Sequence, residues 1–157
     1  MPKIKTVREH IAWSYANLAC AHSAIKKGAK KYSRTHYMIR AKLYKGLVSR
    51  TMSMRSLFDD DRVKYDYPRS CCYCGSIDDL QMDHLVPKSK GGWNSSDNSV
   101  WACKSCNSSK GNQNVLRWLE RKNMRPSMLL LRKHIKLINL YCEEHNLTDF
   151  QFYPETN

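Results

Sequence analysis

Residues 71–106 read CCYCGSIDDLQMDHLVPKSKGGWNSSDNSVWACKSC, two Cys-x-x-Cys pairs bracketing an adjacent Asp83 and His84. The turn inside each pair brings its sulfurs to one side, so Cys71, Cys74, Cys103 and Cys106 together offer the four thiolates of a tetrahedral zinc site. Such a site is closed, with no position left for substrate, and is therefore structural. Cys72 lies too close to Cys74 to form a knuckle of its own and stands aside. The zinc would staple the strand candidate LQMDHLV, residues 80–86, to the segment that starts at Asn98. A short, turn-rich region with few large apolar residues has too thin a core to fix its geometry otherwise.

Outside the cysteine bracket the pattern is helical. Ile11, Tyr15, Leu18, His22 and Ile25 recur in steps of three and four, which predicts a first helix over residues 6–29, ended by Gly28 and the KGAKKYS run. A second is expected over residues 35–54, with Ile39, Leu43, Leu47 and Met54 inward. NQNVLRWLER, residues 112–121, reads as a short helix stopped near Pro126. A last helix follows, with Met128, Leu131, Ile135, Ile138 and Cys142 on one face. The expected class is α+β and mainly helical. His10, His22, His36, His134 and His145 show no ligand spacing and are assigned to surface or core, and the acidic run at 59–61 is read as a solvated loop.

The 157 residues, 41% of them hydrophobic, suit one compact unit with an appendage. No run of apolar residues reaches the length of a membrane span, and the opening MPKIKTVREHIAW has no apolar stretch behind its charges, so neither a membrane segment nor a signal peptide is expected. The expected compartment is the cytoplasm, where seven cysteines point to metal rather than disulfides.

Of the net charge of +13, residues 1–56 carry 13 Lys and Arg against Glu9 alone, whereas residues 57–157 are nearly balanced. A basic excess confined to one region reads as a surface for a polyanion, most often nucleic acid. The candidate contacts are Lys26, Lys27, Lys30, Lys31, Arg34, Arg40, Lys42 and Lys45, joined in the central segment by Lys88, Lys90 and Lys110. Duplex DNA is the expected partner.

Read together, Cys71-x-x-Cys74, Asp83-His84-x-x-Pro87-x-Ser89-x-Gly91-Gly92, Asn98 and Cys103-x-x-Cys106-Asn107-x-x-Lys110 resemble the zinc-containing HNH endonucleases in order and spacing. The resemblance covers about residues 70–118 and implies a zinc-stapled ββα-metal core, two strands and then a helix, flanked here by N-terminal and C-terminal helices. It implies that His84 is the general base, that Asp83 and Asn107 hold one catalytic divalent cation, that Asn98 braces the histidine-bearing loop, and that Lys110 contacts phosphate. Asn107 stands at a position where histidine is the commoner residue, which shifts the weight of metal binding to Asp83.

The chemistry agrees with the name. Histidine accepts a proton near neutral pH, and oxygen ligands suit magnesium or manganese rather than zinc. Successive residues of a strand face opposite ways, so Asp83 and His84 serve one site only if the strand ends or bends there. The implied activity is metal-dependent hydrolysis of DNA to 5′-phosphate and 3′-hydroxyl ends. The alternatives are a non-catalytic zinc-ribbon nucleic-acid-binding protein and a nuclease subunit of a larger restriction or defence assembly. One such site cuts one strand, so a double-strand break would require a homodimer, a partner subunit or successive nicks. The expected organisation is a basic helical arm over 1–56, a linker over 57–69, the nuclease core over 70–122 and a packing helix over 126–147.

Overall fold

The computed structural model describes residues 2–54 and 69–151. Among them are five α-helices and one two-stranded sheet: α1 Val7–Lys26, α2 Arg34–Val48, β1 Leu80–His84, β2 Ser99–Cys103, α3 Lys104–Lys110, α4 Val115–Arg121 and α5 Met128–Glu144. The class is mixed α and β, as expected. The acidic run at 59–61 and most of the expected linker lie outside the described residues. No helix among the described residues is long and apolar enough to cross a membrane. The chain divides into one unit of Met1–Leu57 with Ile135–Asn157 and a second of Phe58–His134, so the boundary falls within α5.

In the first unit, α1 starts at a capping box. Thr6 Oγ1 accepts from the Glu9 amide at 3.2 Å while Glu9 Oε2 accepts from the Thr6 amide at 3.0 Å. It ends where Gly28, at φ +61°, donates to the Ile25 carbonyl and Ala29 to the Ala24 carbonyl, both at 2.9 Å, a Schellman closure that glycine permits. The buried face differs from the expected stripe. Ile11 and Tyr15 are buried, but the rest of the face is Ala12, Ala16, Ala19, Cys20 and Ala24, and Ile25 is 66% exposed. Between α1 and α2, Trp13 meets Tyr44 edge-on at 5.5 Å.

The second helix stops at Val48, short of the expected 54. Arg50 takes φ +61° and the Met52 amide folds back onto the Gly46 carbonyl at 3.0 Å. Met52 occupies the space beside Gly46, where a Cβ would lie 2.6 Å from its sulfur. The inward face of α5 departs in part from the expected one: Cys142 is buried as expected, but Leu130 and Leu137 are buried too while Ile138 is exposed. The alkyl stems of Arg132, Lys133 and Lys136 are buried too, so aliphatic parts of basic residues take places that an apolar count assigns elsewhere.

In the second unit β1 and β2 pair antiparallel, Leu80 opposite Cys103 through His84 opposite Ser99. The polypeptide turns from β2 straight into α3, with Cys103 as its N-cap. Asn114 Oδ1 then caps α4 by accepting from the amides of Leu116 and Arg117 at 3.1 and 3.2 Å. Leu85, Val100, Ala102, Val115, Trp118 and Leu119 form the apolar core. Tyr73 packs edge-on against Trp118 at 5.1 Å, and the indole N–H donates to Ser109 Oγ at 3.1 Å.

Candidate active site

The cysteine pairs come together as the spacing requires. The Cys71 amide donates to the Ser76 carbonyl at 2.7 Å and the Gly75 amide to the Cys71 carbonyl at 2.9 Å, a tight knuckle made possible by Gly75 at φ +81°. The second pair is the first turn of α3. All four sulfurs lie within 4.8 Å of one another, and Cys74 Sγ stands 3.7 Å from Cys103 Sγ. Zinc–sulfur bonds in a tetrahedron put sulfurs ~3.8 Å apart, so the set fits a zinc ion. Burial raises the Cys71 thiol, but backbone amides of Cys103, Cys74 and Tyr73 outweigh it and bring it to about 7, while burial and the neighbouring thiols push Cys106 up. A bound zinc ion would take all four as thiolates. Cys72 is not among them. Its thiol faces Ser127 Oγ at 3.3 Å, and burial raises its pKa.

Between the pairs, β1 ends at His84, which answers the problem of adjacent residues facing opposite ways. Asp83 is 8% exposed. Its Oδ2 accepts from the Tyr73 hydroxyl at 2.6 Å and its Oδ1 pairs with Lys110 Nζ at 3.2 Å. Burial, first, and the bond to Asp83 push the Tyr73 hydroxyl far above its ordinary value, so it remains a donor. Gln81 shares the Asp83 face of the strand, two residues apart, and Asn107 Nδ2 donates to Gln81 Oε1 at 3.2 Å. Asn107 and Lys110 are three residues apart on α3, so one helix face lies over that strand face and carries both to it.

Lys110 corrects its sequence reading. Instead of reaching toward phosphate, its side chain is 1% exposed, and its ammonium donates to the carbonyls of His84 and Gly111, each at 3.1 Å, besides pairing with Asp83. All three N–H bonds are engaged within the fold. Arg40, expected at nucleic acid, is likewise committed: its guanidinium lies 4.8 Å from the Trp13 ring centre and 5.0 Å from that of Tyr37, and donates to Asn17 Oδ1 at 3.3 Å. Lys26, Lys27, Lys30, Lys31, Arg34, Lys42, Lys45, Lys88 and Lys90 are exposed.

Asn98 is fully buried. Its Oδ1 accepts from the Val86 amide at 2.8 Å, and its Nδ2 donates to the carbonyls of Val86 at 2.9 Å and Trp93 at 2.8 Å. Three bonds from one side chain close the loop that leaves β1. Gly92 belongs to the same closure, because a Cβ there would fall within the Val86 carbonyl. The His84 ring, at the exposed end of this loop, has Nε2 3.3 Å from Asn94 Oδ1. Tyr73, Gln81 and Asn94 escaped sequence reasoning: each is a common polar residue whose role exists only through the partner the fold gives it.

The motif recognition is borne out by comparison with known proteins. Residues 71–122 match the family model described as HNH endonuclease, a segment that contains the four cysteines, Asp83, His84, Asn98, Asn107 and Lys110. Over 52 residues the chain is 42% identical to the CRISPR-associated endonuclease Cas9 of Corynebacterium diphtheriae, which is 31% of this chain and 5% of the length of that protein. No solved structure matches the chain. The family match is confined to the second unit and leaves α1 and α2 outside it.

Proposed function

We propose that the protein is a metal-dependent endonuclease that hydrolyses DNA phosphodiester bonds to 5′-phosphate and 3′-hydroxyl ends. The observation that carries the reading is that α3 brings Asn107 and Lys110 over the Asp83 face of β1 while β1 terminates at a half-buried histidine. A zinc-ribbon binding module would not call for a buried carboxylate, paired to a lysine and a tyrosine, next to such a histidine.

The oxygen donors fit a hard cation. Asn107 commits its amide nitrogen to Gln81, leaving its carboxamide oxygen as the ligating end. Each Asp83 oxygen keeps lone-pair capacity beyond the one partner it has here. Asp83 and Asn107 would hold magnesium or manganese, which supplies Lewis-acid charge at the scissile phosphate and leaving oxygen. Lys110 and Tyr73 hold the Asp83 carboxylate in place. Asn94 Oδ1 can only accept, so its contact with His84 calls for a proton on Nε2 and leaves the basic lone pair on Nδ1. His84 would take the proton of the attacking water there. Asn98 holds the loop so that this ring keeps its place. In this reading residues 70–122 are the catalytic core, stapled by zinc, and residues 1–56 the basic arm that holds DNA.

The test is relaxation of supercoiled plasmid by the full chain with magnesium or manganese, where one site nicks before it linearises. His84→Ala should lower the rate roughly 10²- to 10⁴-fold with DNA affinity kept, since general-base catalysis acts in the chemical step. Asp83→Ala and Asn107→Ala should instead raise the metal concentration that cutting requires. A His84→Ala chain that cuts like the parent removes the assignment.

A further inference from the structure

The α1–α2 hairpin holds a second surface of definite chemistry. No Asp or Glu occurs between Glu9 and Asp59, while Lys27, Lys30, Lys31, Arg34 and Lys42 are all exposed across the turn and the outer face of α2. Set among these cations are large apolar side chains that solvent reaches: Tyr32 is 44% exposed, Tyr37 47% and Met38 61%. On α2, Arg34, Tyr37, Met38, Ala41, Lys42 and Lys45 recur at helical spacing and are all exposed, so basic and aromatic groups interleave on one face.

The aromatic rings are held in place. Tyr32 meets Tyr37 edge-on at 5.9 Å and leans on His36 at 6.0 Å. The His36 ring is itself pinned by the Ser33 amide, which donates to Nδ1 at 2.9 Å. Tyr37 is fixed from behind by the Arg40 guanidinium, which also stacks on Trp13. A surface meant only to stay soluble, or only to neutralise phosphates, gains nothing from two ordered, half-exposed phenol rings. Within a duplex the base faces are occupied by neighbouring bases, so such rings find a partner only where bases are unpaired.

We propose that this surface binds single-stranded DNA, with lysines along the phosphate chain and unpaired bases stacked on Tyr32 and Tyr37. It goes beyond the catalytic reading by naming the strand state that the arm selects, in place of the duplex that net charge alone suggested. Stacking tolerates any base, so binding is indifferent to sequence, and the phosphate contacts make it strongly salt-dependent.

The test is fluorescence anisotropy with the full chain carrying His84→Ala, so that bound strand survives, using labelled oligothymidylate, the same strand annealed to its complement, and oligouridylate. The parent should bind the single DNA strand more tightly than the duplex. Tyr37→Leu and Tyr32→Leu keep an apolar side chain but remove the π face, and each should weaken single-strand binding about tenfold while changing duplex binding less than about twofold. Phenylalanine at either position should restore it. Lys30→Glu with Lys31→Glu should weaken both strand forms together and flatten the salt slope. Equal losses on single strand and duplex in the leucine variants, duplex preferred by the parent, or oligouridylate bound more tightly than oligothymidylate would each overturn the proposal. So would absence of binding to all three, which would leave an acidic protein surface as the occupant. Because the readout is binding in a chain unable to cut, failure here is separate from failure of the nuclease assignment.

Discussion

The two units of this protein are held together by different means. In the second, the contacts that fix the backbone are few, polar and individually strong: four sulfurs converging on one point, a buried carboxylate with a tyrosine and a lysine on it, and an asparagine that closes a loop with three bonds. In the first, α1 buries alanines, a cysteine and a tyrosine, with aromatic and guanidinium stacking between α1 and α2. One unit depends on chemistry at points, the other on shape along a surface. Removing a point contact should therefore collapse the local structure around it, whereas the helix pair should answer chiefly to changes of volume.

The largest expected effect follows from Cys103, which is at once a candidate zinc ligand, the last residue of β2 and the N-cap of α3. Structural zinc contributes about 10 kcal/mol of apparent binding energy, more than a unit this size can lose. The parent should carry one zinc per chain by elemental analysis. Cys103→Ser should lose it, with amide protection vanishing across β1, β2 and α3 while α1 and α2 stay protected. Protected strands without zinc would erase the contrast between the units.

Lys110 comes next. Its pair with Asp83 is almost wholly buried, and deleting one member of such a pair leaves a charge without compensation, at a cost of about 3 kcal/mol. Lys110→Met should lower stability by that amount in denaturant unfolding of the full chain. A loss below about 1 kcal/mol would return Lys110 to the role of a solvent-facing phosphate contact.

The same contrast explains what could be read from the sequence. Cys71, Cys74, Cys103 and Cys106 were legible because cysteine is scarce and its ligand spacing is set by bond geometry, whereas Asp83, His84, Asn98 and Asn107 stood out only through the resemblance to the HNH endonucleases. Tyr73 and Asn94 were not, since a tyrosine between cysteines or an asparagine after tryptophan has many possible fates. Lys110 was legible as a motif position but not as a buried one: lysine is so seldom fully buried that its type argues for solvent, and only the carboxylate beneath α3 reverses the argument. In the first unit the helices were legible from period, Thr6 and Gly28, and Ile11, Tyr15, Leu47 and Met54 are buried as expected, but the rest of the α1 face was not legible. Counting large apolar residues found Ile25 and Ile138, which are exposed, and passed over Ala12, Ala16 and Ala19, which are buried, because alanine scores as neutral.

That last point yields the smallest and most discriminating expectation, a pair of substitutions on α1. Ala16 is fully buried and Ile25 is 66% exposed in the last turn. If the alanine face is the packing surface, Ala16→Leu forces extra volume between α1 and its neighbours and should cost about 2 kcal/mol. Ile25→Ser removes a side chain already in water and exchanges residues of similar helix propensity, so it should change stability by less than about 0.5 kcal/mol. Were the Ile11, Tyr15, Leu18, His22 and Ile25 stripe the buried one, the order would invert. Ile25→Ser would then forfeit about 2 kcal/mol of burial and Ala16→Leu would be nearly silent at the surface. Thermal or denaturant unfolding of the two variants side by side decides between the faces by the sign of their difference. Because Ile25 stands one residue before the cationic turn, the same Ile25→Ser chain should bind single-stranded DNA as the parent does, which keeps the packing question separate from the binding one.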